Sequence, residues 1–292
     1  DRVLGWIQDG AIGTLREIHN WSNRPVWPQY AAAPTDTPPV PPGLDWDLWL
    51  GPEAERPYHP DYTHMVFRGW YDFGGGSMAD MGHYSLWSVF NAFGLSGPTS
   101  IEPTFSHQCA FTKENVATTL RNRDAFPLAC RVRFRFPARA PWPALDLFWY
   151  DGGFQPPTPE ELDEDGGSFE LEGMMFVGDK GKILAGFHGD RPRLIPSKRM
   201  RSAAESEAPH AGRGGRHAGL EEWIAAVRGG PQPAGSFLNA GPLTEAANLY
   251  AVALRAGKRL TYDAASSKIT NAPEANAFLA RSYRKGWEPE TI

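Results

Sequence analysis

Cys130-Arg131-Val132-Arg133-Phe134-Arg135-Phe136 alternates strictly between apolar and charged side chains. That is the period of a β-strand with one buried face and three arginines on the other. Reading outward, Leu145–Tyr150 and residues 167–171, 174–177 and 182–187 are further strand candidates, separated by Gly and Asp turns. Upstream, residues 14–21 follow a Gly-Ala-Ile-Gly turn and alternate in the same way. Helical periodicity lies on either side of these strands. Residues 77–93 carry an apolar stripe of Met78, Met81, Leu86, Val89 and Phe90, and residues 220–228 and 242–256 follow near the end. A last strand is predicted at 259–262, then a helix near 272–285 stopped by Gly286 and Pro289. Strands in succession with helices at both ends predict an α+β domain, an open and mainly antiparallel sheet with helices on one face, rather than alternating βαβ units.

The chain has 292 residues, 41% apolar and 22% charged, enough to bury a core. A net charge of -5 argues against a nucleic acid or an anionic membrane as main partner, and no stretch approaches the roughly 18 apolar residues of a membrane span. Cys109 and Cys130 cannot staple a fold of this size and do not set a compartment, so cytoplasmic and periplasmic settings both stay open. Residues 22–62 hold 10 prolines and little periodicity, yet they contain Trp27, Trp46 and Trp49. A loop this long is expected to be functional or an oligomer arm, with residues 44–50 as an ordered anchor. Residues 196–219 are basic, small and featureless, and read as an exposed loop.

Gly74-Gly75-Gly76-Ser77-Met78-Ala79 formally matches a dinucleotide turn. Such a turn must follow a buried strand, and Arg68-Gly69-Trp70-Tyr71-Asp72-Phe73 is not one. Behind the triplet, Asp80, His83 and Tyr84 sit at i, i+3 and i+4, so one helical face carries a carboxylate, an imidazole and a phenol. A carboxylate that orients an imidazole suits general acid-base chemistry near neutral pH. The plain alternative is a capping Asp80 and a satisfied core His83. His59, His64 and His83 with Asp61 or Asp80 lack any recognised metal spacing, so no metal is expected. Trp21, Arg24, Trp27, Arg68 and Trp70 could stack on sugar faces and bind hydroxyls, although such residues more often pack.

Gly74-Gly75-Gly76-x-x-x-Asp80-x-Gly82 resembles the glycine-rich start of the long helix in the C-terminal domain of Gfo/Idh/MocA-type oxidoreductases. Residues 10–17 look like that domain's first helix-turn-strand junction. Residues 44–52 are similar to an insertion in its bacterial branch, and residues 243–245, 270–276 and 283–287 to its tail. The resemblance implies a single substrate-binding and oligomerisation domain over 1–292, with a dihydrodipicolinate-reductase-like sheet. It implies that the family's N-terminal Rossmann domain, which carries the glycine turn and the Glu-Lys-Pro motif, is missing from this chain. NAD or NADP would then be bound mainly by that domain, and no cofactor by this chain alone. It further implies a carbohydrate, polyol or glycoside substrate and a homo-oligomer formed through the sheet face and the Pro/Trp-rich arm at about 22–62. The family pattern places a histidine four residues after the aspartate. Here His83 follows Asp80 by three, and Tyr84 holds the fourth position. Asp80, His83 and Tyr84 are the implied catalytic residues, with Asp80 positioning His83, and Trp21, Arg24, Trp27, Arg68 and Trp70 the implied substrate contacts. Two alternatives remain: a glycosidase that oxidises its substrate transiently and restores the cofactor, and a non-catalytic sugar-binding or assembly domain.

Overall fold

A computed structural model describes residues 2–120, 122–199 and 218–290. Among the described residues, nine strands form one open sheet in the order β11-β10-β2-β5-β6-β1-β7-β8-β9. They are β1 Leu15–Trp21, β2 Ser100–Phe105, β5 Cys130–Phe136, β6 Leu145–Tyr150, β7 Gly173–Gly178, β8 Lys182–Ala185, β9 Arg193–Ile195, β10 Leu260–Asp263 and β11 Lys268–Ile269. Every pairing is antiparallel except β1 with β6. A separate hairpin joins β3 Gln108–Phe111 to β4 Ala117–Leu120, and its burial is too shallow to leave an alternating signal in the sequence.

The alternation in β5 is realised as read. Cys130, Val132, Phe134 and Phe136 enter the main core, while Arg131, Arg133 and Arg135 point to the other face. Helix α1 Arg2–Gln8 adds Trp6 and Ile7 to that core. Two longer helices cover the same face: α3 His83–Phe93 through Leu86, Val89 and Phe90, and α6 Phe237–Ala256 through Leu243, Ala246, Leu249 and Tyr250. On the far face, Trp21, Tyr150, Met175, Leu184 and Ile195 form a smaller cluster, and the one-turn helix α4 Glu160–Glu164 contributes Leu162. Helix α5 Ala218–Val227 lies mostly exposed, with Trp223 and Leu220 open to solvent. No helix among the described residues is long and apolar enough to cross a membrane.

Two sequence expectations change. Residues 167–171 are not a strand. Phe169 packs on Trp21 with ring centroids 4.8 Å apart, and the Glu170 carbonyl takes the Trp21 indole N–H, so the apolar position marks packing and not a ladder. The C-terminal helix shrinks to a 3-10 segment, Pro273–Phe278. Beyond it Arg281 and Arg284 turn outward to Glu53, Asp47 and Gly51 of the proline-rich arm, so their partners are tertiary rather than one helical turn away. The expected loop at 196–219 lies mostly outside the described residues.

The arm buries its own aromatics. The anchor is a short helix, α2 Trp46–Leu50, capped by the Asp45 carboxylate. Trp46 stacks on Trp49, Trp49 meets Phe73 edge-on, and Tyr62 meets both Trp70 and Phe73.

One buried carboxylate joins the layers. Asp151, just beyond β6, is 2% exposed. It accepts from the Cys130 backbone N–H (2.8 Å), the Trp149 indole (3.0 Å), the Tyr250 hydroxyl (2.7 Å) and the Cys130 thiol (3.3 Å). Strands β5 and β6 and helix α6 therefore meet on it. Burial without a cation pushes its pKa from 3.8 up to about 6, against the pull of those four donors. A carboxyl whose folded pKa is raised holds its proton where the unfolded chain has released it. Its contribution is full below the unfolded pKa and disappears as pH rises through the folded one. Denaturant titrations of the wild type should therefore lose about 3 kcal/mol between about pH 4 and about pH 6, relative to Asp151→Asn over the same range. Parallel pH profiles for the two proteins would contradict this.

Candidate functional site

The site begins at the glycine triplet. Gly76 has φ +65, and a Cβ there would lie 2.7 Å from the Phe126 ring. At Gly74 a Cβ would meet the Arg68 backbone at 2.5 Å. Only glycine lets this turn press against both neighbours. The chain then makes a π-helical turn over Met78–Gly82 before tightening into α3. Such a wide turn is often found at functional sites, and it alters the simple i, i+3, i+4 register read from the sequence.

Helix α3 is pinned to the sheet by one buried pair. The Ser85 hydroxyl donates to Asn20 Oδ1 (2.5 Å), and Asn20 Nδ2 donates to the Gly173 carbonyl on β7 (2.9 Å). This holds the start of α3 over the C-terminal end of β1.

The structure gives Asp80 and His83 different partners. The Asp80 carboxylate lies 3.6 Å from Arg68, whose guanidinium sits over the Trp27 ring at 5.4 Å and the Phe67 ring at 5.3 Å. His83 Nδ1 lies 3.1 Å from the Ala79 carbonyl, and Nε2 lies 3.4 Å from Thr244 Oγ1 on α6. A carbonyl only accepts, so the neutral imidazole carries its proton on Nδ1 and leaves a lone pair on Nε2. The backbone, and not Asp80, orients the ring. Tyr84 is 66% exposed, and its carbonyl accepts from His188 Nδ1 (3.2 Å).

Of the expected substrate contacts, Trp27 and Arg68 join Asp80 directly. Trp21 belongs to the far face of the sheet, because β1 alternates and its neighbour Asn20 faces α3. Trp70 is buried in the arm, stacked on Tyr30 and donating to the Asp61 carbonyl (2.7 Å). Arg24 is half-buried, its amide bonded to Ser22 Oγ (3.2 Å). Thr244 and His188 were not singled out as site residues, since 161 and 104 positions separate them from their partners. No group of three or more His, Cys, Asp or Glu side chains among the described residues could hold a metal ion.

Residues 3–103 match the Gfo/Idh/MocA model described as "Oxidoreductase family, C-terminal alpha/beta domain". No curated protein sequence matches the chain. Among solved structures, the chain is similar to the WlbA dehydrogenase of Bordetella pertussis in complex with NADH and UDP-GlcNAcA. That match has 13% identity and a TM-score of 0.46, and covers 90% of this chain and 60% of that one. It is also similar to the aldose-aldose oxidoreductase of Caulobacter crescentus complexed with glycerol, at 13% identity, TM-score 0.39 and coverage of 88% and 58%. A third is the super-repressor mutant of Gal80p from Saccharomyces cerevisiae, at 9% identity, TM-score 0.38 and coverage of 89% and 62%. This chain thus spans less than two thirds of the length of each.

The glycine turn is testable by stability alone. Gly76→Ala combines a strained positive φ with an overpacked ring contact, and should cost about 2–4 kcal/mol in denaturant melts. A loss under about 1 kcal/mol would mean that Phe126 moves aside freely.

Proposed function

From the match of residues 3–103 to the C-terminal alpha/beta domain model of the Gfo/Idh/MocA oxidoreductases, we propose that this chain is the substrate-binding and proton-handling part of an NAD(P)-dependent oxidoreductase acting on a sugar, polyol or glycoside. The observation that carries this reading is the His83 tautomer. With Nδ1–H committed to the Ala79 carbonyl, Nε2 is an unprotonated acceptor at the start of α3. A substrate hydroxyl within about 3 Å can pass its proton to that nitrogen as the carbinol carbon is oxidised. The Thr244 hydroxyl, 3.4 Å from the same nitrogen, shares the position and helps orient what binds there. Arg68 presents guanidinium donors to neighbouring hydroxyls while Asp80 balances its charge and Trp27 supports its plane.

The turn at residues 74–76 is poorly shaped to cradle a dinucleotide. The glycine triplet follows a 3-10 segment and not a strand, and Phe126 fills the space at Gly76 where a pyrophosphate would approach. The nicotinamide, NAD or NADP, is assigned to residues outside these, and this chain's part in the chemistry is the proton.

The intact enzyme, assayed against sugars and polyols with either nicotinamide, should lose about 10²- to 10⁴-fold in kcat on His83→Ala, with KM little changed. Tyr84→Phe should cost far less, because that side chain is exposed. Sinking the proposal requires a His83→Ala enzyme within about threefold of wild type, or a larger loss for Tyr84→Phe.

The far face of the sheet supports a second part of the reading, a homo-oligomer contact. Arg133 is held there by Asp146 (2.5 Å) and lies over the Phe148 ring (5.8 Å), with its Nε buried and lacking a partner among the described residues. His19 stacks on the same ring at 4.7 Å. A flat, half-buried face of this kind suits a second copy meeting it symmetrically. Light scattering should give a dimer or tetramer that Phe148→Glu dissociates. A wild-type monomer at micromolar concentration would refute it.

A further inference from the structure

A concavity of about 600 Å³ opens at the sheet edge where the C-terminal end of α6 meets the end of β2. None of the residues assigned above lines it. The glycine triplet and Phe126 stand between it and the start of α3. Its volume falls within the range of small-molecule sites.

Its walls are aromatic and firmly held. Tyr71 packs on Phe126 with ring centroids 4.2 Å apart, and Phe105, Tyr30 and Phe278 contribute further ring surface. The 122–126 segment is tied down by three bonds: Tyr71 N–H to the Asp124 carbonyl (2.9 Å), Phe126 N–H to the Gly69 carbonyl (2.8 Å) and Asn122 Nδ2 to the Tyr30 carbonyl (2.8 Å). This makes a preformed surface, so a ligand need not order the segment as it binds.

The polar groups identify the ligand chemistry. Lys258 pairs with Glu274 at 2.7 Å. Arg255 is balanced by Asp72 at 3.7 Å and lies over both the Phe278 ring (4.7 Å) and the Tyr71 ring (5.5 Å). Arg123 and Asp124 stand side by side with opposite charges and no salt bridge elsewhere among the described residues. Asp72 is shared with Arg56 (2.6 Å), so the described lining, with Arg123, Arg255 and Lys258 against Asp124 and Glu274, interleaves both signs and is not built as a pocket of one sign for a phosphate or carboxylate. A wholly apolar ligand would strip water from Arg123, Asp124 and the Tyr71 hydroxyl, which has no hydrogen bond among the described residues, at about 1–3 kcal/mol for each group left unpaired. A sugar ring meets both demands, since its C–H face lies on an aromatic plane while its edge hydroxyls both donate and accept.

We propose that this concavity binds a neutral saccharide, at a site separate from the group that handles the proton. The assignment does not depend on the reaction given to His83. It is tested on the full chain by calorimetry and saturation-transfer NMR with cellobiose, maltose and lactose, using inorganic phosphate and benzoate as comparison ligands. At least one disaccharide should bind saturably, and Phe278→Ala and Arg123→Ala should each weaken it about tenfold, the loss expected when about 1.4 kcal/mol of stacking or hydrogen bonding is removed. Both side chains sit at the rim, and unchanged thermal melts will show that the variants remain folded. His83→Ala should leave this binding intact. The proposal is overturned if no disaccharide saturates, if both rim variants bind like wild type, or if phosphate or benzoate binds in preference. Loss of binding in His83→Ala also overturns it, by moving the sugar to the start of α3, and that outcome would leave the oxidoreductase reading standing.

Discussion

A single buried carboxylate, Asp151, joins the sheet to the helix that completes the site. It takes hydrogen bonds from β5, from the end of β6 and from Tyr250 on α6. A charge this deep is tolerated only when donors surround it, and four do. Because Thr244 lies on the same helix as Tyr250, the link also determines where the hydroxyl facing His83 stands. Removing it would leave α6 tied to the sheet by apolar contact and by the Tyr262 hydroxyl on Glu245 (2.7 Å), a looser hold on its position.

A second constraint acts from the other side of His83. Glycines at 74 and 76 let the chain lie against Arg68 and Phe126, and the π turn that follows directs the Ala79 carbonyl at the imidazole. The ring's protonation pattern is thus decided by a backbone oxygen. Asp80, freed from that task, holds Arg68 against Trp27. The Asp-His pair expected from the sequence is thus split, His83 bonded to the Ala79 carbonyl and Asp80 paired with Arg68.

The proline-rich arm and the chain's last residues form a third unit. Arg284 donates to the Gly51 carbonyl (3.0 Å) and pairs with Asp47 (2.5 Å), and Trp287 lies against Gly51. With Trp46, Trp49, Tyr62 and Phe73 packed on one another, the arm and the segment behind it form a small aromatic core. From there Trp70 and Tyr30 lead directly to the aromatic wall of the saccharide cavity.

Local periodicity was enough for β1, β5, β6, β7, β8 and β10, because Val132, Phe134 and their neighbours alternate wherever one face is buried, whereas β2, β9 and β11 emerge only in the structure. It was enough, too, for the apolar stripe of α3 and the need for glycine at 74–76. It misjudged residues 167–171 and 272–285, where an apolar or charged residue meets a distant partner, Trp21 or Asp47, and not a neighbour in its own element. At the site the sequence named the chemical groups, Asp80, His83, Arg68 and Trp27, but not who touches whom. Helical spacing predicts an Asp-His pair only for an ordinary α-turn, and the π turn breaks that register. Trp21 and Trp70 show the same limit, since composition marks a tryptophan as large and flat without saying which face of a sheet will bury it. Thr244 and His188 stand 161 and 104 positions from the residues they meet. Only the closing of the chain around Asp151 and Asn20 brings them together, because a contact between distant segments leaves no period in the sequence to be read.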